Sequence, residues 1–480
     1  MKKIYIIIIA SIFSISVFAQ QSNTMYFMQK TPQTSLLNPA YTPGCNFYIG
    51  GALVNATPVF GQVFLPIAID FTSTSFDYST IIHKGTITYE DSLIVDLKGF
   101  VDGLKDYNYL TFNLNVDLLA IGFKVKDMYF TLNATEKVDF KFGYSGDMFR
   151  IPYYGNGDPD LIGSDANFGF GIDAVHYREF AIGVSKPIND KLTVGLKAKA
   201  LFGMANINTK VNEYVWNTDA DNFDYTFSSE SEINSSLPFL EYFYNDTTGN
   251  IDSVEMKDFD AKGYFVNFKN KGVGVDLGAT YKMNDKITLS ASLIDLGFIS
   301  WKDNPYSIVN SGEFSFTGID IANEIFSNDT SENDNSIGDS FLDSLAENFS
   351  IEDTNLTYKT YLTPKVYIGG NFQINEKINI GALARIEFMR KRISPSLTVS
   401  VNTQFTKWFG LTGTYSIMNN SFTNAGLGMS IKMGPWKMFV INDNVLGMIL
   451  PHKARNINWR TGLYLVFGSN KAEENAKAKF

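Results

Sequence analysis

Asn456 to Phe467 reads N-I-N-W-R-T-G-L-Y-L-V-F, and the alternation inside it decides the fold. Leu463, Leu465 and Phe467 fall on one side of an extended strand, while Arg460, Gly462, Tyr464 and Val466 fall on the other. A strand between lipid and a polar lumen needs this arrangement. A soluble sandwich can alternate as well, so length discriminates. The alternating stretches of this chain run for about 9 to 12 residues, enough for a tilted strand to cross a bilayer, against roughly 5 to 6 in ordinary strands.

One unit recurs along the chain: a strand, a short polar turn and a second strand. It spans residues 179–202, 272–294 and 365–388, with turns at Asn189-Asp190, Asn284-Asp285 and Asn375-Glu376-Lys377. Asn and Asp suit tight turns because their side chains bond nearby backbone groups and tolerate left-handed conformations. Two-residue turns make the neighbours antiparallel, so the chain reads as a β-meander. After Asn189-Asp190, Leu192, Val194, Leu196 and Ala198 share one face, and Thr193, Gly195, Lys197 and Lys199 share the other. After Asn375-Glu376, Ile378, Ile380, Ala382 and Ala384 oppose Gly381, Arg385 and Glu387. Trp216, Trp301, Trp408, Trp436 and Trp459 all fall at inferred strand ends, where an amphipathic ring favours the membrane interface.

The amino terminus supplies the address. Lys2 and Lys3 precede an apolar run from Ile4 to Phe18, and Val17-x-Ala19 suits signal peptidase, so residues 1–19 read as a signal peptide. Nothing later offers the roughly 18 uninterrupted apolar residues of a membrane helix. The expected location is the outer membrane, with outer-membrane lipid and the barrel-assembly machinery as partners. Mean hydropathy is −0.06, as a wall that is half lipid-facing and half water-facing requires. The 38 Gly and 25 Tyr among 480 residues fit an all-β chain. A formal net charge of −10 argues against a nucleic-acid partner, which would need a basic face. The lone Cys45 permits no internal disulfide and reads as a small packed residue.

These features predict an all-β transmembrane antiparallel up-and-down β-barrel. Eleven strands are inferred from Glu179 onward, an odd number in a class that favours even ones. Segments 109–125, 128–142 and 166–175 raise the count to fourteen; if 46–57 and 63–71 joined the wall it would be sixteen. Fourteen is the favoured expectation, with residues 20–75 as an N-terminal plug or hatch, 76–467 as the barrel and 468–480 as a polar tail. Short turns are periplasmic in such barrels, which puts the connections near 209–262, 297–356 and 443–455 outside.

Two of those connections are acidic. Residues 217–260 hold eleven Asp or Glu against Lys257, and residues 320–353 hold ten with no Lys or Arg. Closely spaced carboxylates suit hard cations, but neither stretch has the calcium-loop pattern, and a solvated, charged loop is the favoured reading. No metal or cofactor is assigned. Expected lumen charges are Asp117, Lys137, Asp139, Lys197, Lys199, Asp276, Arg385 and Glu387, with Lys141, Lys365 and Arg460. An open pore could use such a set for selectivity; a plugged barrel would pair it, and the near balance of signs favours pairing. No catalytic residue is assigned. His83, His176 and His452 have no metal-site spacing, and no G-x-S-x-G turn occurs.

Arg460, Gly462, Leu465 and Phe467 resemble the closing-strand signal by which outer-membrane barrels reach their assembly machinery. Leu36-Leu37-Asn38-Pro39-Ala40-Tyr41 resembles the opening of PorP/SprF-type barrels of Bacteroidota, which are associated with type IX secretion and gliding. Ser292 to Trp301 and Asn442 to Gly447 are similar to segments of a broader uncharacterised Bacteroidota barrel family related to FadL-like and PorV-like proteins. The FadL-like resemblance implies passive transport of small hydrophobic solutes. The PorP/SprF-like one implies a structural or accessory role with secretion-system proteins as partners.

Overall fold

The computed structural model describes residues 23–55, 66–84, 93–155, 157–244, 251–316, 349–354, 356–419 and 421–469. The expected signal peptide, the tail from residue 470 and most of the acidic stretch 320–353 lie outside the described residues.

Alternation and Asn-led turns produce the wall directly. The first two short strands are β1 (Cys45–Gly50) and β2 (Ile67–Ser73). Long strands follow: β3 (Tyr107–Val125), β4 (Met128–Ser145), β5 (Phe170–Pro187) and β6 (Leu192–Thr218). Then come β7 (Tyr225–Ser236), β8 (Asn270–Lys282), β9 (Ile287–Trp301) and β10 (Pro305–Phe316). The wall is completed by β11 (Lys365–Gln373), β12 (Ile378–Met389), β13 (Arg392–Gln404), β14 (Phe409–Met418), β15 (Ser421–Met433), β16 (Trp436–Asn442) and β17 (Asn456–Ser469). From β2 onward sequential neighbours pair antiparallel, except that β7 and β10 pair with each other beyond the wall, on the extended outer half of β6. Removing those two leaves β8 beside β6 and β11 beside β9.

Thirteen long strands from β3 to β17 therefore form the wall, and the fourteenth place is shared. β1 lies between the end of β17 and β3, with Phe47 opposite both Phe467 and Phe123. β2 lies between the start of β17 and the start of β3, with Ala68 opposite both Arg460 and Asn115. The result is a closed fourteen-stranded antiparallel barrel.

Fourteen is the expected number, but two assignments behind it are corrected. Segment 166–175 is not a separate strand: β5 runs unbroken from Phe170 to Pro187, because Tyr177, Glu179 and Ala181 keep one alternation through it. The expected boundary at residue 75 also moves, since residues 45–50 and 67–73 belong to the wall, and the described residues 23–41 lie inside. The thirteen long strands leave two edges to be paired, and these residues pair them.

The turns use one device repeatedly. Asn189 Oδ1 accepts from the backbone of Lys191 (2.9 Å) and Leu192 (2.8 Å), and Asn284 and Asn375 do the same two and three residues on. The strands stop at Pro187, Lys282 and Gln373, so these connections are longer than the two-residue turns expected. The outward face is apolar and exposed, with Ile182, Leu196, Ile368, Leu397, Val399 and Phe467 among its side chains, the band a bilayer covers. Trp408 is half exposed at a turn, as an interface ring should be, but Trp301 is a correction. It is fully buried inside against Tyr177, Leu201 and Ile299, and its Nε1 donates to Thr360 Oγ1 at 2.8 Å.

A bulge causes that inversion. Ile294 and Asp295 of β9 together stand opposite the single Asp276 of β8, and Asp295 adopts φ 60°. The extra residue shifts the alternation, so even-numbered residues face inward before it and Ile299 and Trp301 face inward after it.

Deletion of residues 45–73 should abolish stable insertion. β17 and β3 would then have to pair in parallel or stay unpaired in lipid, which a bilayer does not tolerate. Phe467→Asp should also block insertion, while truncation after Ser469 should not. Heat-modifiable migration of the membrane fraction on gels measures all three.

Candidate functional site

The site is the lumen, and two things occupy it: residues 23–41 and a set of paired charges. Helix α1 (Asn23–Phe27) and the 3-10 turn Pro32–Leu36 carry the chain across the barrel interior. Met25, Tyr26, Thr34 and Asn38 have no exposed surface. Side chains of the surrounding wall hold the backbone of this insert. Ser292 Oγ donates to the Leu37 carbonyl (2.6 Å), Lys197 Nζ to the Ser35 carbonyl (3.1 Å) and Ser185 Oγ to the Ala40 carbonyl (3.1 Å). On the opposite side the Thr24 amide donates to Asp443 Oδ1 (2.6 Å), and Thr24 Oγ1 lies 2.7 Å from Thr414 Oγ1. Tyr26 stacks on Tyr367 with ring centroids 5.4 Å apart, and its hydroxyl donates to Ser290 Oγ.

Asn38, Pro39 and Ala40, the middle of the L-N-P-A-Y stretch, meet the wall at two glycines. A Cβ on Gly195 would lie 2.1 Å from the Pro39 carbonyl carbon, and one on Gly278 would lie 2.2 Å from Asn38 Oδ1. Glycine is thus required there for close approach of backbones rather than for a turn. Asn38 Nδ2 also donates to the Ala291 carbonyl (3.2 Å), and its Oδ1 accepts from the Ala40 amide (2.9 Å). The motif is a wall-docking element.

Beside the insert stands a balanced ionic cluster. Lys199 Nζ lies 2.7 Å from Asp276 Oδ1, 2.7 Å from Asp295 Oδ1 and 3.5 Å from Glu179 Oε2. Lys137 Nζ lies 2.8 Å from Glu179 Oε2, and Lys365 Nζ lies 3.0 Å from Asp295 Oδ2. Three cations meet three carboxylates. Burying such groups is costly unless each is paired, so neutrality of the set is what makes the interior tolerable. Arg385 pairs with Glu387 along the same wall, and Tyr464 donates to Asp117 Oδ2 at 3.1 Å. Arg460 Nη1 sits 3.0 Å from the Met25 sulfur, which ties the closing strand to the insert. Asp139 lines the same space as these groups. The remaining opening among them is a cavity of about 130 Å³, lined by Asp70, Asn113, Asp139 and Lys199 and floored by Leu36 and Leu37. At about 30 Å³ per molecule it has room for a few waters.

All eight expected lumen charges therefore lie on the inner wall, but only some meet. Lys137, Lys199 and Asp276 share one cluster; Arg385 and Glu387 form a second; Lys197 serves the insert; Asp117 serves Tyr464. Two central members escape sequence reading. Asp295 by simple alternation would face lipid, and only the bulge turns it inward. Glu179 stands at the point where the inferred strand began, and the inward run Ala181, Gly183 and Ser185 was the signal that it belongs inside.

His176 lies on the outward face. Its Nε2 is 2.8 Å from Glu136 Oε1 and its Nδ1 2.7 Å from the Tyr264 hydroxyl. Arg178 Nε donates to Glu136 Oε2 (2.7 Å), and its Nη1 donates to the Phe265 carbonyl (2.9 Å). These bonds fasten the short helix α2 (Ala261–Phe265) to the outside of β4 and β5.

Residues 39–443 match a family model described as "Family of unknown function (DUF5723)". No curated protein sequence matches the chain. Among solved structures it is similar to the Pseudomonas putida toluene transporter TodX, at 10% identity over 92% of this chain and 95% of that one, with a TM-score of 0.36. A Pseudomonas aeruginosa FadL homologue aligns at 10% identity over 91% of each chain, with a TM-score of 0.33. The translocator domain of the autotransporter NalP from Neisseria meningitidis aligns at 8% identity over 95% of this chain and 100% of that one, with a TM-score of 0.31.

Lys199→Met should destabilise the barrel by about 3–5 kcal/mol, because it strands buried carboxylates. Adding Asp276→Leu to it should restore part of the loss. Urea denaturation in micelles, followed by tryptophan emission, measures both variants.

Proposed function

The chain belongs to that DUF5723 family of unknown function, and we propose that it is an outer-membrane passive transporter whose lumen is closed by its own N-terminal segment. One observation carries this reading. The wall closes through β17, β1, β2 and β3, and the bonds to residues 23–41 come from its side chains and a few spare carbonyls. The insert can therefore leave without breaking a wall ladder. Its contacts are many but individually modest, about 0.5–1.5 kcal/mol net for a hydrogen bond, so opening needs a partial release rather than unfolding of the barrel.

The solute class follows from the lining. Asn113, Asn115, Asp117, Lys137, Asp139 and Arg385 border the space that the insert obstructs. Such a lining suits small polar or zwitterionic solutes, and it disfavours the hydrophobic solutes implied by the FadL-like resemblance. Large exposed apolar side chains such as Ile182, Leu397 and Val399 lie on the lipid side of the wall.

A second reading has its own support: the neutral three-plus-three cluster and the fully buried insert suit a closed structural barrel that serves as an accessory to a secretion system.

Deletion of residues 20–44 separates the two readings. The deleted protein should insert normally and raise single-channel conductance in planar bilayers well above that of the intact chain. An inserted deletion protein with unchanged, near-zero conductance would select the structural barrel.

A further inference from the structure

At the short-turn end, periplasmic by loop length, the insert does not fill the mouth. A cavity of about 580 Å³ opens there between the insert and strands β12 to β17, within the roughly 300–1,000 Å³ typical of ligand sites. Five lysines border it, Lys30, Lys377, Lys407, Lys432 and Lys437, against the single acidic residue Glu376. Lys432 and Lys437 stand on the inward faces of β15 and β16, in register with each other, and Lys437 stands opposite the inward Tyr464. The site therefore opens to the aqueous mouth and not to the bilayer. Phe405 and Trp408, each about half exposed, add an apolar rim.

One of these lysines also holds the insert. Lys437 Nζ donates to the backbone carbonyl of Lys30, three residues after α1. An anion that draws Lys437 away removes that bond from the periplasmic end of the insert.

We propose that this vestibule docks an acidic peptide segment of a periplasmic protein, and that docking competes for Lys437 and loosens residues 23–41. The inference rests on the reading of the insert as a removable gate, and it adds the partner that works it. Several lysines around a concave, partly apolar site concentrate positive potential and draw in a polyanion; the attraction falls as salt screens it. A peptide meets the geometry because its carboxylates are spaced along a chain that can reach both the turns and the deeper Lys432 and Lys437.

The test uses the full-length protein in detergent and a fluorescein-labelled hexaglutamate peptide, followed by anisotropy. Binding should appear at low salt and weaken at least tenfold in the Lys377→Gln, Lys407→Gln, Lys432→Gln triple variant. Labelled hexalysine should not bind. Equal affinity of wild type and triple variant for hexaglutamate would overturn the site. Displacement of the peptide by phosphatidylglycerol micelles or by inorganic phosphate at equal charge concentration would overturn the peptide as occupant, in favour of a lipid headgroup or a free anion respectively. Loosening is read separately, as trypsin cleavage after Lys30. It should accelerate at least fivefold with saturating hexaglutamate, and in Lys437→Gln without peptide. Unchanged protection in Lys437→Gln would overturn the latch. None of these readouts uses conductance, so a failure of the gate reading in the residue 20–44 deletion is distinguishable from a failure here.

Discussion

No backbone donor or acceptor can stay unpaired in lipid, and the rest of this structure follows from how that rule is met. The antiparallel run from β3 to β17 has thirteen wall strands, so its two ends point the same way. Direct closure would set parallel strands side by side. β1 and β2 run antiparallel to both ends and resolve the conflict. Because closure is completed by the N-terminal region, residues 23–44, which lead into β1, lie inside the ring. The insert is a consequence of where the fourteenth strand is encoded.

An interior of this kind has to be filled or wetted, and here it is filled in two ways. Residues 23–41 supply backbone, which needs hydrogen-bond partners, and the inner wall supplies Ser185, Lys197 and Ser292 to donate to it. The charges beside it are arranged in a neutral cluster, with Lys199 between Asp276 and Asp295. A lone ion in such a place would be far more costly than a well-paired set, which at best breaks even against apolar packing. The cluster is thus better understood as fixing position than as adding stability. It joins β4, β5, β6, β8, β9 and β11 through side chains on the lumen side.

The bulge at Asp295 links the two themes. It admits a residue that simple alternation would have sent to lipid, completes the ionic cluster, and turns Ile299 and Trp301 inward. Trp301 then reaches across β8 to Gly203 of β6, where a side chain would collide with its ring. A single inserted residue therefore sets the chemistry of the mid-lumen and the packing above it.

Much of this was legible in the chain itself. Period-two alternation is a local property, so the strands, the lipid-facing side of Leu196 or Val399, the Asn-led turns and the inner placement of Lys197, Lys199, Arg385 and Glu387 could be read directly. Strand parity was legible as a problem, since an odd count demanded another strand, but not as an answer. Three things needed the closed structure. Residues 45–50 and 67–73 share one wall position because each pairs with partners hundreds of residues away or across the seam. Asn38 to Ala40 seat on Gly195 and Gly278, a fit that depends on inner surfaces brought together only when the ring closes. Asp295 and Trp301 face inward because of a register shift against β8, and register belongs to a pair of strands rather than to either one. The sequence alone determines which faces exist; closure of the ring determines what those faces meet.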